Sequence, residues 1–209
     1  MAALTSQPFA VPRAIALYAA SIATGDDDTM IAALALGRKH ALDRDALYEV
    51  VLQSYLFLGF PRMLLAADVL NRELPAMSRR DALPSVGGDD FDRYMNIGEV
   101  LCREIYGTAY EPLRARIESM APEVFRWMIV EGYGKVMSRP GLGKVEREIA
   151  SVGFHLMEGY EQPLFSHIRG ALNVGAPAAL VAAVIDDIGP ASGDGGETAR
   201  RIFQKVGAR

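Results

Sequence analysis

Glu148 is followed twelve, fifteen and nineteen residues later by Tyr160, Pro163 and His167. The carboxylate and imidazole at the two ends of that interval are the groups in this chain best suited to moving a proton. An imidazole with an unperturbed pKa of about 6.5 can give a proton near neutral pH, and a nearby carboxylate can orient it or pass it one. Arg139 adds a planar guanidinium able to clamp a substrate carboxylate, and Arg147, beside Glu148, is a second cation. Tyr133 and Tyr160 bring hydroxyls able to hold an oxyanion. The candidates are therefore His167, Glu148 and Arg139 for catalysis, and Tyr133, Tyr160 and Arg147 for substrate binding. Each has a purely structural use as well: a histidine packed on an amphipathic helix, a glutamate complementing a helix start, an arginine in a surface ion pair, tyrosines packed with a wet hydroxyl.

Other chemistries have less to stand on. Cys102 is the single cysteine, which excludes an intrachain disulfide and a cysteine-based zinc cage. His40 and His155 lack partners at ligand spacing, so neither a metal site nor a cofactor is expected. The glycine-rich stretch 193–196 is not followed by Lys and Ser or Thr, as a phosphate loop would be. A net charge of −4 without a long basic run argues against a nucleic-acid partner. No stretch approaches eighteen uncharged apolar residues, so no membrane span is expected. The short Ala-rich N-terminus has no basic leader, which favours a cytoplasmic protein.

The elements that must position these groups read as helices. Apolar residues recur at three- and four-residue spacing over 12–23, 28–40, 44–57, 61–73, 92–106, 122–137, 144–158, 163–174 and 177–187. Strand-like alternation is scarce, so the fold class expected is all-α, a bundle of helical hairpins. With 209 residues, half of them hydrophobic, the chain can bury a substantial core. Residues 75–90 hold two prolines, two glycines and mixed charges and read as a linker. It divides an N-terminal half, 1–74, from a C-terminal half, 91–188, that carries the Glu/His site. Beyond a glycine-rich break, the tail of 189–209 can form an amphipathic helix or remain a loosely ordered terminus.

A faint repeat appears when the chain is laid on itself at an offset of 134 residues. Ile15 then falls on Ile149, Ala16 on Ala150, Gly25 on Gly159, Leu34 on Ile168, Ala41 on Gly175 and Val50 on Val184. The polar site does not repeat: Glu148 meets Ala14, Tyr160 meets Asp26, Pro163 meets Thr29 and His167 meets Ala33.

The Glu148–His167 spacing, with Arg139-Pro140-Gly141-Leu142 before it and Gly170-Ala171-Leu172-Asn173 after it, resembles the alkylhydroperoxidase D and carboxymuconolactone decarboxylase family. In the peroxidase branch the four positions are Glu, Cys, Cys, His, and the two thiols shuttle electrons. Here Tyr160 and Pro163 stand at the sulfur positions, and neither can form a thiolate. The lead-in, with Gly98, Arg103-Glu104-Ile105-Tyr106-Gly107 and Tyr133-Gly134, is similar to that of the decarboxylases, with Met137 where an aromatic is expected. Glu49 to Arg62, ending in Gly59-Phe60-Pro61, looks like the family's closing segment moved to the front, which leaves open a tandem of decayed copies or a circular permutation.

The resemblance implies a cofactor-free decarboxylase of a small carboxylated lactone or β-keto-type acid, with His167 and Glu148 as the acid–base pair, and a homo-oligomer, trimeric or hexameric. An apolar helix around Val50-Val51-Leu52 and Tyr55-Leu56-Phe57-Leu58 needs cover on several sides, which agrees with an oligomer. The alternative is a non-catalytic oligomer that kept the fold to bind a ligand or partner. Thiol peroxidase activity would need Cys102 to find a resolving thiol in another molecule.

Overall fold

The computed structural model describes residues 9–76 and 88–207. Among them all regular structure is helical. Most of the linker, 77–87, lies outside the described residues, and its last three residues open a helix. The chain divides into two compact units, Met1–Ala76 with Gly141–Arg209, and Met77–Pro140. The segment 141–188 thus packs with the N-terminal residues instead of with 91–140.

The first unit contains α1 (Ala10–Thr24), α2 (Asp27–Lys39), α3 (Arg44–Glu73), α7 (Lys144–Glu158), α8 (Glu161–Asn173), α9 (Ala178–Ile188) and α10 (Asp194–Gly207). Their ends follow from local chemistry. Asp26 accepts the Thr29 N–H at 2.8 Å and Asp43 accepts the Ala46 N–H at 2.7 Å, capping α2 and α3. The first and seventh helices stop at Gly25 (φ 71°) and Gly159 (φ 72°), left-handed positions that glycine takes without a steric cost. At Gly59 (φ 74°, ψ 169°) α3 leaves helical geometry, and Pro61 begins its second part. By length and composition α3 is apolar enough to cross a membrane. Its first part buries Leu47, Val50 and Val51 inside the unit, and beyond the break Phe60, Leu64 and Leu65 are exposed.

The faint repeat runs through the whole unit. Helices α1, α2 and α3 begin 134 residues before α7, α8 and α9, and the first two end at that same distance. The part of α3 beyond Gly59, residues 60–73, corresponds to α10, and the break at Gly59 corresponds to Gly193, also at positive φ. Each copy is therefore four helices in one order, with the second unit inserted between them. The tail is a formed helix that packs on α7, α8 and α9 and buries Ala199 and Ile202.

The two copies meet where α1 crosses α7, the most extensive helix contact of the unit. The crossing is lined by Ala16, Ala19, Ala150 and Gly153, which are two equivalent pairs under the repeat. A Cβ on Gly153 would stand 2.5 Å from the Ala16 carbonyl oxygen and 3.2 Å from the Ala19 methyl. The exchange of core residues is reciprocal: Ala150 and Phe154 complete the hydrophobic cluster of the first copy, and their equivalents Ala16 and Ala20 complete that of the second.

The second unit holds α4 (Gly88–Tyr106), α5 (Tyr110–Met120) and α6 (Pro122–Trp127), which runs into a π-helix over Met128–Met137. The π-helix packs on α4 where Gly98 meets the Ile129 carbonyl and Gly134 meets the Tyr94 carbonyl. The sequence periodicity did not reveal α5. That helix is mostly exposed and carries Pro112 in its first turn, so apolar spacing leaves little trace there.

The close crossing predicts that Gly153→Val overpacks the centre of the first unit. The expected loss is about 1–3 kcal/mol of unfolding free energy, read by urea denaturation against wild type.

Candidate functional site

Helices α7 and α8 form the hairpin of the second copy, and Glu148, His155 and His167 lie on its inner sides. The Nδ1 of His167 is 2.9 Å from Oε2 of Glu148, with the carboxylate fully buried and the imidazole nearly so. An ionised carboxylate can only accept, so with Glu148 in that form the contact takes the Nδ1 proton and leaves Nε2 to take or give another. The second carboxylate oxygen, Oε1, is buried with no hydrogen-bond partner among the described residues.

His155, which has no partner at ligand spacing in the sequence, has a ring neighbour in the fold. Its ring stacks on that of His167, centroids 5.0 Å apart and planes within 17°. Phe57, from the last turn of α3 before the Gly59 break, presents its face or edge to both, at 4.7 Å and 71° to His155 and 5.3 Å and 80° to His167. Burial, and next the neighbouring His167, push the His155 pKa down from 6.5 to about 3, so the ring is neutral across the ordinary range. Both of its nitrogens are buried without a hydrogen-bond partner among the described residues.

No family model matches this chain and no curated protein matches it. The chemical reading therefore rests on the residues themselves.

The other candidates fall elsewhere. Arg147 turns away from Glu148: its guanidinium is 2.9 Å from the Glu49 carboxylate and 3.4 Å from the Gln53 amide oxygen, all deeply buried. Gln53 in turn donates to the Arg147 carbonyl at 2.8 Å and the Ser151 hydroxyl at 2.9 Å. Arg13, the repeat equivalent of Arg147, makes a two-pronged pair with Asp187, the equivalent of Gln53, both contacts at 2.7 Å. These arginines tie the first helix of each copy to the third helix of the other. Tyr160 caps α8 with its backbone in extended geometry, and its side chain is mostly exposed. Pro163 occupies the first turn of α8, where a missing N–H costs nothing.

Arg139 and Tyr133 belong to the second unit. Arg139 is half-buried in the turn after the π-helix. The Tyr133 hydroxyl donates to that of Tyr106 at 3.1 Å. Met137 is in the core of the same unit, and Cys102 is completely buried there.

Sequence reasoning missed His155 and Phe57. For His155 a signal existed: it stands seven residues after Glu148, two helical turns on, hence on the same face. For Phe57 there was none, because only the packing of α3 on α7 brings it there.

A neutral buried histidine gives a signed prediction. The folded pKa of His155 lies below its unfolded value of 6.5, so the unfolded chain binds the proton first as pH falls. The associated stability is complete above about pH 6.5 and declines toward about pH 3, by up to about 1.4 kcal/mol per pH unit. Urea denaturation between pH 7 and 4 is expected to show this decline in wild type and to lack that increment in His155→Phe.

Proposed function

We propose that this chain is a cofactor-free acid–base enzyme of the carboxymuconolactone decarboxylase type, acting on a small carboxylated lactone or β-keto-type acid. The observation that supports the reading is the buried 2.9 Å contact between His167 and Glu148, with the free Nε2 it leaves. When the substrate carboxylate departs as carbon dioxide, the electrons of the breaking carbon–carbon bond pass into the conjugated carbonyl system. His167, protonated at Nε2, returns a proton to the resulting carbanion, and solvent then reprotonates the ring. Glu148 holds the ring in one tautomer and balances the imidazolium while it is charged. Arg139, the clamp suggested by sequence, belongs to the second unit; the steps above use only groups of the first. Arg147 serves the core, where Glu49 and Gln53 occupy it.

A second reading, a binding protein without turnover, draws on the replacement of both thiol positions by Tyr160 and Pro163. The thiol peroxidase route has only the buried Cys102. A homo-oligomer, trimeric or hexameric, belongs to the same proposal, with the exposed Phe60, Leu64 and Leu65 of α3 as the apolar face to be covered. Analytical ultracentrifugation is expected to show the oligomer, and a monomer at micromolar concentration would remove that part.

The test of the chemistry is carbon dioxide release from a panel of carboxylated lactones and β-keto acids. Expected is turnover of at least one acid, reduced roughly 100- to 10,000-fold in a folded His167→Ala protein. Turnover unchanged in that variant would remove His167 from the mechanism, and saturable binding without release by wild type would favour the second reading.

A further inference from the structure

We infer that His155 is a second substrate-contacting residue, whose neutral imidazole donates a hydrogen bond to the carbonyl or enolate oxygen of the bound acid while His167 handles the proton. The inference rests on the acid–base reading of His167 and Glu148 given above.

Three observations meet at this ring. The first is that both nitrogens of His155 are buried and neither finds a partner among the described residues, although buried polar groups are almost always satisfied. The second is its placement. The ring lies flat against His167 at 5.0 Å and is held edge-on by Phe57, so a group bound to it lies beside the imidazole that transfers the proton. The third comes from the repeat. The position equivalent to His155 in the first copy is Ser21, also buried, and its hydroxyl is satisfied at 2.7 Å by the Tyr18 carbonyl. Where the polar site is absent, the equivalent buried group is closed off internally. Where the site is present, both ring nitrogens lack a partner among the described residues, as does Oε1 of Glu148, the carboxylate that His167 contacts.

A purely structural role would be met better by phenylalanine, which has a comparable ring, can stack between Phe57 and His167, and has no nitrogens to leave unsatisfied. A neutral imidazole differs in having one N–H and one lone pair. Fixed in a dry site beside the reacting group, that N–H can stabilise oxygen on which negative charge develops, without itself giving up a proton. The ligand class that fits is a small acid whose carbonyl is conjugated with, or β to, the departing carboxylate. Such a molecule places the enolate oxygen within a few bonds of the carbon that receives the proton.

The experiment uses the full chain labelled with nitrogen-15 at histidine. The probe is 5-oxotetrahydrofuran-2-carboxylate, a saturated lactone acid without the conjugated sink that decarboxylation needs. Expected are shifts of the ring nitrogens of both His155 and His167 on titration, with affinity about tenfold weaker in His155→Phe and restored within about threefold in His155→Gln, which keeps an N–H donor. With any acid that wild type decarboxylates, kcat is expected to fall roughly 100-fold in His155→Phe, with KM changed much less and partial recovery in His155→Gln. Shifts confined to His167, with equal affinity in wild type and His155→Phe, would overturn the inference and leave the acid–base reading standing. Shifts at neither histidine would overturn both. Shifts at both, without release of carbon dioxide from any acid tested, would keep His155 as a ligand contact and remove the decarboxylase reading.

Discussion

The crossing of α1 over α7 is the constraint on which the first unit depends. Helices normally pack 8–10 Å apart, at a separation set by the side chains between them, and here Gly153 of α7 faces Ala16 and Ala19 of α1. With so little bulk at the contact the two backbones approach until Gly153 meets the Ala16 carbonyl. That closeness fixes which residues of α7 face α1 and which face α8. Glu148 and His155 are on α7, two residues before Ala150 and two after Gly153, about half a turn to either side. The chemistry is therefore set by a contact that contains no chemistry.

The same crossing explains why buried charge is tolerated nearby. Breaking a buried ion pair by removing one partner costs about 3–5 kcal/mol, and both Arg13 and Arg147 are almost completely inaccessible. Each is matched, Arg13 by Asp187 and Arg147 by Glu49 with Gln53. Because the two arginines are equivalent under the repeat, the unit is laced by paired contacts that run from the first helix of one copy to the third helix of the other. One such contact has kept two opposite charges, and in the other Gln53 replaces the acid while Glu49, four residues earlier, supplies the carboxylate.

How much of this was legible in the sequence follows from the range of each interaction. Helix positions were readable because apolar spacing, proline and glycine act within a few residues. The offset of 134 was visible in a few matched residues, yet its full extent became clear only when helix ends and glycine breaks were found to recur at it. The Glu148–His167 pair could be named because both sit in one hairpin, nineteen residues apart. Arg147 could not be assigned: its partners Glu49 and Gln53 are more than ninety residues away, and no spacing rule connects them. Arg139 and Tyr133 shared a stretch of sequence with the site and fell in another compact unit.

The repeat also shapes what the polar site can be. Glu148, His155 and His167 come from the second copy, and their equivalents in the first are Ala14, Ser21 and Ala33. Phe57, which closes over the two imidazoles, comes from the first copy, and its equivalent in the second is Ala191. Neither four-helix copy holds the whole cluster. A site divided in this way couples the copies: the first cannot lose α3 without opening the histidine pair, and the second cannot lose Arg147 without removing a cation that Glu49 contacts in the core of the first. Loss of polar groups from one copy is then the expected partner of their retention in the other, because each copy is free to simplify only those positions that its neighbour does not touch.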